Sequence, residues 1–214
     1  MSAPEHEIEE EGSAGYERVV AFSDGVFAIA ITLLVLGLDV PDLPESRAPD
    51  ELAGALRDLG PQVASYFIGF AVIGAFWLGH HRFFEQLRRF DSTLLLLNLA
   101  FLAFISLMPF TTGVFGRYGE VEAAVILYAA NVVAASGFDT AMLWIALRRE
   151  LLPPAALAHP GLMLLSNVLP ALVFLCSIPV AFVDPGIAPY VWIALFVVSP
   201  LLVRTISRRV EADG

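Results

Sequence analysis

Apolar and polar positions alternate along this chain in long blocks rather than in short strand-like or helical periods. Six apolar runs stand out, at about 17–38, 62–84, 92–114, 121–147, 161–183 and 187–206. Each is near the ~20 residues that a helix needs to cross the hydrocarbon core of a bilayer. Short polar or proline-bearing breaks separate them. The expectation is an all-α integral membrane protein with six transmembrane helices per subunit. Its spanning domain covers residues 16–209, with tails at 1–15 and 210–214. The first tail, MSAPEHEIEEEGSAG, is acidic and reads as disordered. After Pro41, residues 50–59 carry Leu52, Ala55, Leu56 and Leu59 at helical spacing. This predicts a short surface helix with Asp50 as its N-cap. Ala64, Gly69, Gly74 and Gly79 give the second span a stripe of small residues, which lets membrane helices approach closely. Pro109 is placed to kink the third span. No internal repeat is visible.

The polar residues inside these runs matter most, because lipid cannot satisfy them. Counting from the helix ends at about 1.5 Å per residue puts Asp24, His80, His81, Asn98, Asp139 and Asn167 in one belt near one surface. Asp24, one of the two histidines and Asn98 are expected to exchange hydrogen bonds, with Trp77 as packing or as a further donor. A proton relay through the same belt is the functional alternative. A metal site is disfavoured: adjacent histidines point about 100° apart on a helix, and no ligand spacing such as H-E-x-x-H occurs.

The first span divides into two faces. Phe22, Ile29, Thr32, Leu33, Leu36 and Asp39 share one, and Asp24 lies about 140° round the helix from Ile29. Spacing alone leaves open whether that stripe packs in a bundle, meets lipid or lines a path.

Charge sets the orientation and excludes some partners. The net charge of −10 argues against a nucleic-acid surface. There is no lysine. Arg18, Arg82, Arg88, Arg89, Arg148, Arg149, Arg204, Arg208 and Arg209 gather at one set of span ends, against Arg47, Arg57 and Arg117 at the other. The positive-inside rule then places both termini in the cytoplasm. The location expected is the cell membrane, by composition that of a bacterium. The lone Cys176 forms no intrachain disulfide.

The stretch RVVAFSD (Arg18, Phe22, Ser23, Asp24) resembles the R-x-x-x-F-S-D signature that opens the first helix of the transmembrane protein 175 family of potassium channels. FWLGHHRFF in the second span and LNLAFLAFISLMPF in the third are also similar to that family. The resemblance implies a homotetramer with four copies of the first helix around the ion path. By position it assigns the pore constriction to Ile29, Leu33 and Leu36, and a hydroxyl layer to Thr32. The motif residues Arg18, Phe22, Ser23 and Asp24, with Trp77, His80, His81 and Asn98, become structural. No T-V-G-Y-G filter is present. The function expected is passive, potassium-preferring conduction through a hydrophobic constriction, with Asp39 at the outer mouth. Its partners are other copies of the chain, lipid and permeating potassium. It requires no cofactor and no metal beyond transient potassium. The alternative is a proton-permeable channel or proton-coupled transporter using Asp24, His80 and His81. An enzyme is disfavoured, since no nucleophile or metal set accompanies the histidines.

Overall fold

The computed structural model describes residues 4–154 and 160–192, with side chains from residue 15. The described residues are all-helical. Helix α1 spans Pro4–Leu33 and tightens into a 3-10 turn over Leu34–Gly37. It is followed by α2 (Ala48–Asp58), α3 (Gly60–Gln86), α4 (Ser92–Tyr118), α5 (Glu122–Arg148) and α6 (Pro160–Ala181). Five stretches are long and apolar enough to cross a membrane: Gly15–Gly37 and the whole of α3, α4, α5 and α6. They match the first five predicted spans within a few residues. The sixth, 187–206, lies mostly outside the described residues, as do Arg204, Arg208, Arg209 and the 210–214 tail.

Three local expectations change. α1 begins at Pro4, so the acidic stretch continues the helix instead of forming an unstructured tail. Glutamate is a good helix former, and acids suit a helix N-terminus. At α2, Asp50 lies within the first turn rather than at the cap, which is Arg47 with no side-chain capping bond. Pro49, at the start of the helix, has no N–H to satisfy, and the helix starts three residues earlier than an Asp50 cap requires. The small-residue stripe of α3 is used at one point. A Cβ built on Gly69 would lie 2.8 Å from the Thr112 side chain and 3.1 Å from Leu34, whereas nothing lies within 4 Å of one on Gly74 or Gly79.

α4 is the central helix and packs against α1, α3 and α5, with α6 beyond α5. Leu94, Phe101, Ile105 and Met108 are fully buried along it. The core follows helical spacing on every contributing face. On α1 the buried positions are Ser23, Phe27, Ala30 and Leu34. At the end remote from the arginine clusters, Phe115, Tyr128, Phe174 and Trp192 stack with centroids 5.1–6.0 Å apart. The Trp192 Nε1–H donates to Ser177 Oγ at 2.9 Å, which fastens the chain after α6 to the bundle.

Two turn chemistries fix the opposite end. Asp91 caps α4, its Oδ1 accepting the Leu94 N–H at 2.9 Å. α5 ends in a Schellman motif. The Leu151 N–H reaches Ala146 O at 2.9 Å and the Glu150 N–H reaches Leu147 O at 3.3 Å. Glu150 occupies the left-handed position at φ 53°, where glycine is usual.

Candidate functional site in the membrane interior

The first transmembrane helix carries both candidate features, on opposite faces. Ser23, Phe27, Ala30 and Leu34 recur every three or four residues and turn into the bundle. Phe22, Ile29, Thr32, Leu33 and Leu36 lie on the other side and are exposed in the single chain. Ile29 is 59% exposed and Leu36 76%, against 1% for Phe27 and 2% for Leu34. A helix this asymmetric, apolar on both faces, has one side for its own bundle and one for something outside it. Thr32 contributes the hydroxyl on the outer side. Its Oγ1–H donates back to Ile29 O at 2.9 Å, so its oxygen lone pairs remain free.

The buried polar face resolves into two separate arrangements. His80 Nε2 lies 2.9 Å from Asn98 Oδ1, and Asn98 Nδ2–H donates to Ser23 Oγ at 3.0 Å. Ser23 Oγ–H in turn donates to Val19 O at 2.9 Å. With the Asn98 amide fixed by its bond to Ser23, His80 donates from Nε2, and every donor runs in one direction to a backbone carbonyl. The three residues are at most 2% exposed. They join α3, α4 and α1. The His80 ring stacks on Phe84 at 4.3 Å and Phe101 at 5.6 Å, with Phe27 edge-on at 5.5 Å.

Asp24 does not enter this chain, contrary to the expected Asp24–histidine–Asn98 ring. Its Oδ1 accepts the Trp77 Nε1–H at 2.9 Å on the half-exposed side of α1 and α3. The reason is azimuth. Adjacent residues on a helix diverge by about 100°, so Ser23 faces α4 while Asp24 faces Trp77. The two histidines separate in the same way. His81 stacks on Trp77 at 5.5 Å and pairs with Glu85 at 3.3 Å. Asp139 and Asn167, placed in the belt by depth, lie between α5 and α6 instead. Asn167 Nδ2–H donates to Asp139 Oδ2 at 2.9 Å, and Thr140 donates to Asn167 Oδ1 at 2.7 Å. That local set has no bond to the Ser23–Asn98–His80 chain.

Two further residues complete the site. Arg18 is exposed and borders a cleft of about 390 Å³ with Val19, Phe22, Leu95, Asn98 and Leu99. Asp39 is held at the outer end of the stripe. Its Oδ2 meets Arg117 Nη2 at 3.0 Å and Gln62 Nε2 at 3.2 Å, while its N–H donates to Gln62 Oε1 at 3.0 Å. Its charge is therefore partly balanced. The close approach of Gly37 and Gly113 lets this end of the chain reach α4. Among the described residues no cluster of three metal-ligating side chains occurs. Sequence reasoning missed Ser23 as the joint to Asn98 and Arg117 as the partner of Asp39.

A family model described as the endosomal/lysosomal potassium channel TMEM175 matches residues 18–109, the segment that holds the FSD stretch, Trp77, His80 and Asn98. The fold is also similar to the crystal structure of a lysosomal potassium-selective channel TMEM175 homolog from Chamaesiphon minutus. That match has a TM-score of 0.71 and 28% identity, over 89% of this chain and 98% of the other. The chain is thus similar to the TMEM175 family over residues 18–109 and in its overall fold. A potassium channel of Streptomyces collinus is 39% identical over 130 residues, 61% of this chain and 59% of that one. The mouse endosomal/lysosomal proton channel TMEM175 is 36% identical over 153 residues, 65% of this chain and 30% of the mouse protein. The chain thus spans about three-fifths of the first relative and under a third of the second. TMEM175 is a family of multi-pass membrane channels, not of enzymes.

Proposed function

We propose that this chain is one subunit of a potassium-preferring cation channel, in which four copies of α1 surround the ion path. The observation that carries this reading is the exposed mid-membrane face of α1. A face built of Ile29, Leu33 and Leu36 with one hydroxyl suits a narrow apolar throat better than a helix–lipid boundary, which needs no hydroxyl. Four Ile29 side chains form the constriction, which dewets when tight and conducts when small helix movements widen it. The four Thr32 oxygens, with lone pairs free, replace part of the water that an ion sheds. Potassium sheds its water at lower cost than sodium, and no carbonyl filter is needed for a modest preference. Asp39, steadied by Arg117 and Gln62, sits at the outer mouth and adds a screened attraction for cations. The Ser23–Asn98–His80 chain and the Asp24–Trp77 pair hold α1 in place. Both termini face the cytoplasm, and the bacterial plasma membrane is the location.

The names of several animal relatives favour a second reading, proton permeation. Asp24, Trp77, His81 and Glu85 form a half-exposed column along α1 and α3 that fits it. Purified protein in planar bilayers under potassium/sodium and then proton gradients separates the two. A reversal potential that follows potassium, and shifts toward zero in Thr32→Ala, supports the first. One that follows pH supports the second. Saturating, gradient-driven uptake without ohmic current would overturn both.

A further inference from the structure

The arginines of one end of the bundle are gathered by backbone contacts, not merely by topology. The Arg88 N–H donates to Leu151 O at 2.9 Å, which ties the α3–α4 turn to the chain just past α5. Arg149 closes the same junction from the other side, pairing with Asp91 and reaching Thr93 Oγ1 at 3.3 Å. These two ties place Arg88 and Arg89, in the α3–α4 turn, at the same junction as the C-terminal end of α5, which carries Arg148. The Arg148 guanidinium lies 4.4 Å above the Trp144 ring, which is itself 47% exposed. A cation held over an exposed indole is preorganised at the depth where tryptophan prefers to sit, the membrane–water interface. Arg88, Arg89 and Arg148 are all exposed, and among the described residues none is paired with a carboxylate. Of the acids at this end, Asp91 is taken by Arg149 and Glu85 by His81.

We propose that Arg88, Arg89 and Arg148, with Trp144, form a binding site for the phosphate headgroup of an anionic phospholipid in the adjoining leaflet. Guanidinium groups suit phosphate oxygens because their N–H donors form a planar fork. Basic side chains at the bilayer surface gather anionic lipid. The Trp144 face packs against the glycerol and upper acyl region. The site is independent of ion conduction, and one such site belongs to each copy of the chain.

The test is native mass spectrometry of the delipidated full chain in detergent, titrated with dioleoyl phosphatidylglycerol or with dioleoyl phosphatidylcholine. The expected result is retention of phosphatidylglycerol at least about tenfold tighter than phosphatidylcholine. Arg88→Gln/Arg148→Gln removes that preference. Arg47→Gln/Arg57→Gln, which deletes the same charge at the opposite end, leaves it intact. Equal retention of the two lipids by the wild-type protein overturns the proposal. So does equal loss in the two double variants, which would mean diffuse charge and no built site. Circular dichroism checks that each variant keeps its helicity. If the first double variant does not, Trp144→Ala takes its place, with a partial loss of the preference expected and no change counting against the site.

Discussion

The Ser23–Asn98–His80 chain allows a prediction whose size follows from its geometry. Asn98→Leu preserves side-chain bulk and removes two hydrogen bonds, those of 2.9 Å to His80 and 3.0 Å to Ser23. The two partners stay buried at 2% and 0% exposure, away from water. An orphaned buried group costs about 1–3 kcal/mol in soluble proteins. Between membrane helices the coupling is smaller, averaging ~0.6 and reaching ~1.7 kcal/mol, because the unfolded chain in lipid also finds partners. Two bonds then give a loss of about 1–3 kcal/mol. His80→Phe keeps the stacking on Phe84 and Phe101 and orphans only Asn98 Oδ1, costing about 1 kcal/mol. The double variant removes both ends of the His80–Asn98 bond, so its cost falls short of the sum by about 0.6–1.7 kcal/mol. The assay is reversible unfolding in bicelles by dodecyl sulfate for all four proteins. Additivity within about 0.3–0.5 kcal/mol would refute the view that this bond holds α3 to α4.

Three further outcomes are expected. Gly69→Ala destabilises the bundle by about 1–3 kcal/mol, because its new methyl meets buried Thr112, whereas Gly74→Ala is neutral or slightly stabilising by the same unfolding assay. Glu150→Gly relieves the left-handed position that ends α5 and stabilises by about 1 kcal/mol. The Leu94 N–H, aided by the Arg149 guanidinium, holds the Asp91 carboxyl below the usual carboxylate range. The native state therefore binds the proton less readily than the unfolded one. The contribution is complete above the unfolded carboxylate range, about pH 4, and is lost as pH falls through the lowered native value. Asp91→Asn, which still caps the helix, should flatten that acid limb of the stability profile.

Apolar run length made five spans legible to within a few residues, since crossing a bilayer demands it. The division of α1 was legible as well: a period of 3.6 puts Phe27, Ala30 and Leu34 opposite Ile29, Thr32 and Leu36, and burial follows that division. Azimuth between helices was not readable. The belt grouped Asp24, His80, Asn98, Asp139 and Asn167 by depth, yet gave no means of telling which neighbours each would face. Ser23 therefore took the place expected for Asp24, and Asp139 found Asn167 on the far side of α5. Asp39 posed the same difficulty. Its register on the stripe was visible, but Arg117 lies 78 residues further along the chain, and only packing brings them together. The Gly69 contact shows that a small-residue stripe marks possible approaches, of which packing uses only some.

The central claim is that the exposed face of α1 lines a water-filled ion path and does not rest against lipid. Single cysteines at Phe27, Ile29, Ala30, Thr32, Leu34 and Leu36, in a Cys176→Ser background, test it through block of potassium current by a water-soluble, charged thiol reagent. The account predicts block at Ile29, Thr32 and Leu36 and none at Phe27, Ala30 and Leu34. Current untouched by reagent at all of Ile29, Thr32 and Leu36, in channels that still conduct, would contradict it.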